Sequence, residues 1–387
     1  MPESTPPSVP SDARVCLISF AHAEKNLSRC VGYEFEDVVR RIDRVDLRYL
    51  EPTASYPLRK RLVNRSTKGF SPAHRLNPGI RKMDLGGPYD LGVVVCQLAK
   101  DLFALNAVRD LHRRCRVTVC WIEEAWVEDL PKYKGHMKLL SRFDRLFTSC
   151  SRSAPVIQAA SGRPCTYLAP GIDTLRFCPY PDPPQRCIDL LSIGRRSEVT
   201  HGALLDLARD PEFFYVYDTL VTKDTETPME HRDLIANLCK RSRFFLANTA
   251  KIDLAEETHQ QAEVGYRFFE GAASGTVMIG QAPDTDLFKR LFPWPDAVIP
   301  LPFHSTEVGP LLDSLTAQPE RIEAVRRSGI AHCLRAHDWA YRWTEILETA
   351  GLSPAEGHNA RVRQLNRLAD LVQAERSYSR ASGTSRP

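Results

Sequence analysis

Asp90-Leu-Gly-Val-Val-Val-Cys-Gln-Leu98 is the stretch on which the fold turns. Leu91 to Cys96 is continuously apolar or small, with no alternation of polar and apolar positions. Such a run describes a strand covered on both faces, which is how strands of parallel sheets are buried. A strand of that kind needs helices above and below it. The flanking sequence has them. Upstream, Val15-Cys-Leu-Ile-Ser-Phe20 is a second short apolar run, followed by a helical stretch around Tyr33–Ile42 and a strand at Val45–Leu50. Downstream, a helical pattern at Leu102–Arg114 leads into Arg116-Val-Thr-Val-Cys-Trp121, and shorter runs lie at Arg145–Ser149 and Thr166–Leu168. Short apolar strands alternating with helices predict an α/β domain over residues 13–177.

Cys178-Pro-Tyr-Pro-Asp-Pro-Pro-Gln185 carries four prolines in eight residues. Proline fixes φ and lacks a donor, so 178–187 reads as a linker. The pattern then restarts. Strands are expected at Ile188–Ile193, Phe213–Tyr217, Phe244–Ala247 and Thr276–Ile279. Helices are expected at Ala203–Arg209, His231–Arg241, Arg267–Ala273, Val308–Leu315 and Pro319–Ala336. The architecture is therefore α/β, with two Rossmann-like domains facing across a cleft, the second spanning 188–350. Ligands of such folds sit beyond the carboxyl ends of the strands. Residues 1–12 read as a disordered leader. Residues 351–387 read as a basic tail, helical over Ala360–Gln373 and disordered at its end.

Composition removes several classes. The 387 residues are 26% charged and 43% hydrophobic, ordinary for a soluble globular chain. A net charge of 52 − 48 = +4 does not announce a nucleic-acid binder. No apolar run reaches the roughly 18–20 residues of a bilayer span, and the first ten residues lack the pattern of a secretory signal. Eleven cysteines are scattered without a CxxC or zinc-ligand spacing. A reduced, cytoplasmic protein without disulfides, structural zinc or other metal is expected.

The segment richest in chemistry is Glu263-Val-Gly-Tyr-Arg-Phe-Phe-Glu270-Gly-Ala-Ala-Ser-Gly275-Thr-Val-Met-Ile279. A glycine ahead of a helix lets backbone N–H groups approach an anion, and the helix start favours negative charge. A carboxylate one turn in can accept hydrogen bonds from ribose hydroxyls. The same residues also suit an ordinary helix with Glu270 on its wet face.

Phe269-Glu-Gly-Ala-Ala-Ser-Gly-Thr276 resembles the donor-site motif of GT-B glycosyltransferases of the group 1 type. Arg267-Phe-Phe-Glu270 resembles the spore-maturation (CgeB-like) subgroup, where an Arg precedes the Glu by three. Three more segments resemble family motifs in order: Ala169–Phe177, Ile193-Gly194-Arg195, and His337-Asp-Trp-Ala-Tyr-Arg342-Trp-Thr-Glu-Ile-Leu347. The resemblance spans about 166–350. It implies a donor site with Glu270 on the ribose, Arg195, Arg196, His201 and Gly265 near a diphosphate, Glu263 and Gly275 in the same motif, and Arg267 near sugar or phosphate. Two departures stand out. The family's paired Glu are eight apart, whereas Glu263 precedes Glu270 by seven. The family's Lys is His201 here.

In the N-terminal half, Trp121-Ile-Glu123-Glu124-Ala-Trp126 ends a strand with two carboxylates and two indoles. Indole faces stack on sugars, so Trp121 and Trp126 are acceptor-binding candidates. Glu123 or Glu124 could serve as base, or simply enrich a helix start in acid. Residues 58–82 hold eight Lys or Arg and no acid. They read as a solvated basic loop, as a holder of an anionic acceptor, or as a peripheral contact with anionic membrane. Asp284-Thr-Asp286 resembles a metal-binding DxD, but its position suits a helix cap at Asp286 better.

The activity implied by the resemblance is transfer of a sugar from a nucleoside-diphosphate sugar to the hydroxyl of a glycan, lipid-linked or small-molecule acceptor, with retention, without metal or other cofactor, in polysaccharide or glycoconjugate synthesis. Two other readings stay open at this level. One is a sugar-nucleotide epimerase or hydrolase on the same fold. The other is a non-catalytic nucleotide-sugar or glycan-binding protein.

Overall fold

The computed structural model describes residues 12–66, 76–218 and 227–382. The chain forms two compact units. One runs to Ala169 and takes back Trp343–Asn359. The other is Pro170–Arg342 with the segment from Ala360 onward.

The first unit carries β1 (Val15–Ser19), β2 (Val45–Tyr49), β3 (Met83–Asp84), β4 (Tyr89–Leu98), β5 (Val108–Arg109), β6 (Cys115–Glu124), β7 (Arg145–Thr148) and β8 (Cys165–Tyr167). Six of them form a parallel sheet in the order β2-β1-β4-β6-β7-β8, while β3 and β5 pair separately. The central β4 sets the register, with Val93 beside both Leu17 and Val119. Leu91, Val93, Val94 and Cys96 are fully buried, as the unbroken apolar run requires. The helix expected at Leu102–Arg114 does not form as one element. A 3₁₀ segment, Ala99–Ala107, gives way to β5 and a single turn, Leu111–Arg114. Asp110 stands between them at φ +58°, in the left-handed region that ends a helix.

The second unit carries β9 (Ile188–Ser192), β10 (Tyr215–Tyr217), β11 (Ser242–Leu246), β12 (Val277–Gly280) and β13 (Ile299–Pro300), parallel and in the order β10-β9-β11-β12-β13. Its side chains alternate between two apolar layers. Leu191, Phe245 and Met278 pack with Phe268, Phe269 and Ile235 on one face. Leu190, Phe244 and Val277 pack with Leu204, Leu312 and Val325 on the other. Both faces are thus covered by helices, and the expected pair of parallel α/β sheets is what the chain builds.

The proline-rich stretch 178–187 is not where the units divide. It belongs to the second unit, to which Cys178 and Arg186 are both anchored. Cys178 packs with Ile330, Leu334 and Leu365. Arg186 donates to the carbonyls of Ser242 at 2.6 Å and Ser274 at 2.8 Å. The division falls at Ala169, inside the segment that resembles a family motif. The chain re-enters the first unit at Trp343, whose indole N–H donates to Asp43 at 2.9 Å. A helix, Glu356–Ser382, then carries it back. Arg361 on that helix bonds Asp338 at 2.7 Å and Asp173 at 2.6 Å, all three buried. All eleven cysteines are free thiols. The first eleven residues of the expected leader and the expected disordered end after Ser382 lie outside the described residues.

Candidate functional site

In the second unit, β9 is followed by β10 on one side and then by β11 on the other. The order reverses between β9 and β11, and a doubly wound sheet opens a ligand crevice at that reversal, beyond the strands' carboxyl ends. Two loops meet there. Gly194–Ser197 follows β9, and 247–265 follows β11 and leads into the helix Tyr266–Ser274.

The β9 loop is fixed by its own charges. Gly194 sits at φ +88°, a conformation that glycine tolerates without cost. Its N–H donates to the Asp218 carboxylate at 3.0 Å. Arg196 donates to the same carboxylate at 3.1 Å and lies over the Tyr217 ring, 5.1 Å from its centroid. Arg196 therefore braces the loop. Arg195 pairs with Asp253 at 2.7 Å, with both side chains well exposed. An exposed pair is worth at most about 1 kcal/mol, so an incoming phosphate competes easily for Arg195. Ser197 caps the next helix by accepting from the Thr200 N–H. His201 bonds the Tyr215 hydroxyl at 2.9 Å. Burial and the Arg196 charge push its imidazole below the usual histidine value. His201 is thus neutral at pH 7 and does not supply the cation of a lysine.

The β11 loop is conformationally unusual. Lys251, His259 and Gln260 all have positive φ, at 55°, 47° and 57°. Non-glycine residues in that region cluster at functional sites. Gly280, at the end of β12, has φ +145°, and a Cβ there would lie 2.2 Å from the Ala247 carbonyl oxygen. Together with Arg195, Ser197, His201 and Asn248 it lines a small indentation at this edge.

The helix Tyr266–Ser274 enters from Gly265, which offers no side chain to cap it. Its first N–H groups face the crevice end of the sheet. Glu270 corrects the expectation of a ribose contact. It is 0% exposed, and both carboxylate oxygens are held by arginines. Oε1 accepts from Arg232 at 2.5 Å. Oε2 accepts from Arg267. The two cations outweigh the burial that would raise it, so the Glu270 carboxyl is pulled down to about 2. The enclosed carboxylate holds the Arg267 guanidinium by its Oε2. The Arg267 side chain is 30% exposed, and a Cβ on Gly194 would lie 3.8 Å from its Nη2. The motif's arginine and the β9 loop are thereby brought together.

Glu263 is also buried, accepting from the Gln261 amide at 2.7 Å. Gly275 is corrected from a donor-site to a structural role. It ends the helix at φ +64°, and a Cβ there would lie 2.5 Å from Ile330 Cδ1. It faces the opposite end of the sheet from the crevice. Asp284 pairs with Lys289 at 2.8 Å, and the following helix is capped by Thr285, not Asp286.

In the first unit, Trp121 is fully buried, edge-on to Phe35, with its N–H bonded to Ser149 at 3.0 Å. It is a core residue and offers no face for stacking. Trp126 is 5% exposed and donates to one carboxylate oxygen of Glu124 at 2.8 Å. Glu123 packs against Gly32 in the first turn of the helix Cys30–Ile42: a Cβ on Gly32 would lie 3.1 Å from its Oε2. Beside it, Glu36 is buried. Burial and the neighbouring Glu123 push the Glu36 carboxyl up to about 8, against a hydrogen bond with Ser19.

Arg232, Asp218 and Glu36 were not among the expected site residues. Arg232 did leave a signal. It shares a helical face with Ile235, Ala236 and Cys239, all buried, and an arginine on a buried face requires a buried acid. Glu36 lies among Tyr33, Phe35 and Val39 in the same way.

Residues 216–348 match the sequence model of a family described as glycosyl transferase-like. The match covers Arg232, Arg267 and Glu270 but not the β9 loop. No curated protein matches the chain. Among solved structures, a glycotransferase of kitacinnamycin is similar at TM-score 0.40 and 12% identity, over 88% of this chain and 100% of that one. TarM is similar at TM-score 0.41 and 9% identity, over 67% of this chain and 54% of its own, so this chain spans about half of TarM's length. A mutant Thermobaculum terrenum O-GlcNAc transferase is similar at TM-score 0.37 and 14% identity, over 96% and 71%.

Proposed function

We propose that this chain is a glycosyltransferase that takes a nucleoside-diphosphate sugar at the β9–β11 crevice and passes the sugar to a hydroxyl acceptor. The observation that carries the reading is the Arg267 guanidinium, held by the buried Glu270 and aimed at Gly194. Arg267, Arg195 and the start of the helix at Tyr266 lie at one edge, and two guanidiniums beside a helix start suit a diphosphate. The family match over 216–348 supports it. In this reading Arg196 and Asp218 brace the phosphate loop, and Glu270 and Arg232 are positioning residues. Glu263 stands two residues ahead of Gly265, where the same helix begins. As the glycosidic bond to the donor breaks, charge accumulates on the leaving diphosphate, and Arg267 stabilises it there without a metal. Retention of configuration rests on the motif resemblance, as does the subgroup. Glu123 is the proposed base for the acceptor hydroxyl. The acceptor is a glycan, a lipid-linked sugar or a small molecule.

The test is calorimetric titration with UDP, GDP, ADP and dTDP in EDTA. One nucleotide should bind. Arg267→Ala should weaken it about 10- to 100-fold, the equivalent of one charge-assisted contact of about 1.5–3 kcal/mol. Arg209→Ala, on an exposed turn away from the crevice, should leave it unchanged. Equal affinity in wild type and Arg267→Ala would remove the crevice from the donor site. A second reading, donor binding without turnover, is favoured by the neutral His201 and by the enclosure of both Glu263 and Glu270. Nucleotide binding with no nucleoside diphosphate released from any sugar donor would select it.

A further inference from the structure

The helix Tyr56–Ser66 of the first unit is held to its unit by one face and presents a different chemistry on the other. On the inner face, Tyr56 and Val63 are buried, and Tyr56 and Lys60 both donate to Glu24. The outer face carries Leu58 and Leu62, one turn apart, 62% and 57% exposed. Arg59, Arg61 and Arg65 surround them and are exposed. From Pro52 to Met83 the sequence contains no aspartate or glutamate, so no acid within the segment answers these charges.

Large apolar side chains are normally exposed singly. Two leucines at i and i+4 within a ring of arginines make a paired apolar step on a cationic field. A soluble polyanion would use the arginines and gain nothing from the leucines. A protein partner would be expected to bring acids and an apolar socket, for which nothing on this face selects a shape. An anionic bilayer uses both features: its surface potential draws the arginines, and short apolar side chains enter the boundary between headgroups and acyl chains. No described helix is long and apolar enough to cross a membrane. The helix Tyr56–Ser66 is instead suited to lie along one.

We infer that Leu58 and Leu62, ringed by Arg59, Arg61 and Arg65, form a docking surface for an anionic lipid bilayer. This inference does not depend on the donor-site reading. It would place the first unit at a lipid surface, where an acceptor carried on a lipid would be presented.

The test is co-sedimentation of the full chain with vesicles of phosphatidylcholine alone and of phosphatidylcholine with phosphatidylglycerol at 1:1, at 50 and 300 mM salt. Binding is expected to the mixed vesicles and to fall with salt. Leu58→Ser/Leu62→Ser should reduce it at least tenfold. Each Arg→Gln at 59, 61 or 65 should reduce it about fivefold, which corresponds to about 1 kcal/mol per basic residue at the surface. All five side chains are exposed, and far-UV circular dichroism checks that each variant is folded. Heparin binding is measured in parallel and should be unaffected by the leucine changes. No binding to the mixed vesicles overturns the inference. Vesicle binding that is indifferent to Leu58 and Leu62 also overturns it, and leaves a cationic face that attracts anionic surfaces by charge alone.

Discussion

Glu270→Gln is expected to destabilise the chain by about 3–5 kcal/mol, because it leaves buried positive charge without its counter-ion. Arg232 is 1% exposed and gives Glu270 its hydrogen bond at 2.5 Å. Arg267 gives it the other. A neutral amide keeps the shape and loses the charge. The pH dependence follows from the same geometry. The Glu270 carboxyl is pulled from 4.5 to about 2 in the folded chain. Its contribution is therefore fully present above pH 4.5 and is lost as the pH falls towards 2, by about 3 kcal/mol in all. Urea midpoints of wild type and Glu270→Gln, measured between pH 7 and pH 3, should converge as the pH falls. A difference below 1 kcal/mol at pH 7 would contradict the clamp. Because the clamp also aims Arg267, Glu270→Gln should weaken nucleotide binding even below its unfolding temperature.

Glu36→Gln is expected to act in the opposite direction. Glu36 is buried between Ser19 and Glu123, and its carboxyl is raised from 4.5 to about 8. Between those values the folded chain keeps a proton that the unfolded chain has released. Stability then falls as the pH rises from about 4.5 to 8, by about 4–5 kcal/mol over the full span. Glutamine is neutral at every pH. Its carbonyl can accept from Ser19, and its NH₂ can donate to the Glu123 carboxylate. Glu36→Gln should therefore match wild type near pH 4.5 and exceed it by several kcal/mol at pH 8. Parallel stability curves over that range would show that Glu36 ionises freely in the fold.

Much of the frame was legible along the chain. Leu91–Cys96 is a strand buried on both faces because its composition permits nothing else of that length. The restart of the pattern after Gln185 announces a second sheet, and Arg267 and Glu270 stand out by their resemblance to a family motif. The division between the units was not. Prolines at 179, 181, 183 and 184 suit a hinge locally, yet Cys178 and Arg186 find buried partners more than fifty residues away. Trp121 and Trp126 show why residue type alone misassigns a site. An indole serves a sugar or a core equally well, and the choice depends on Phe35, Ser149 and Glu124.

Periodicity along the chain fixes the longer strands and so two parallel α/β sheets, but not the two-residue strands β3, β5 and β13. The sequence also determined which residues could carry charge at the second sheet's carboxyl edge. Which partners those charges find follows from contacts between distant parts of the chain. A carboxylate's role depends on how deeply it is buried and on which cations reach it, and both are set by contacts distant in sequence. Arg232, 38 residues before Glu270, holds one oxygen of that buried carboxylate while Arg267 holds the other. Glu123, 87 residues after Glu36, helps keep a proton on a carboxyl that would have lost it in water.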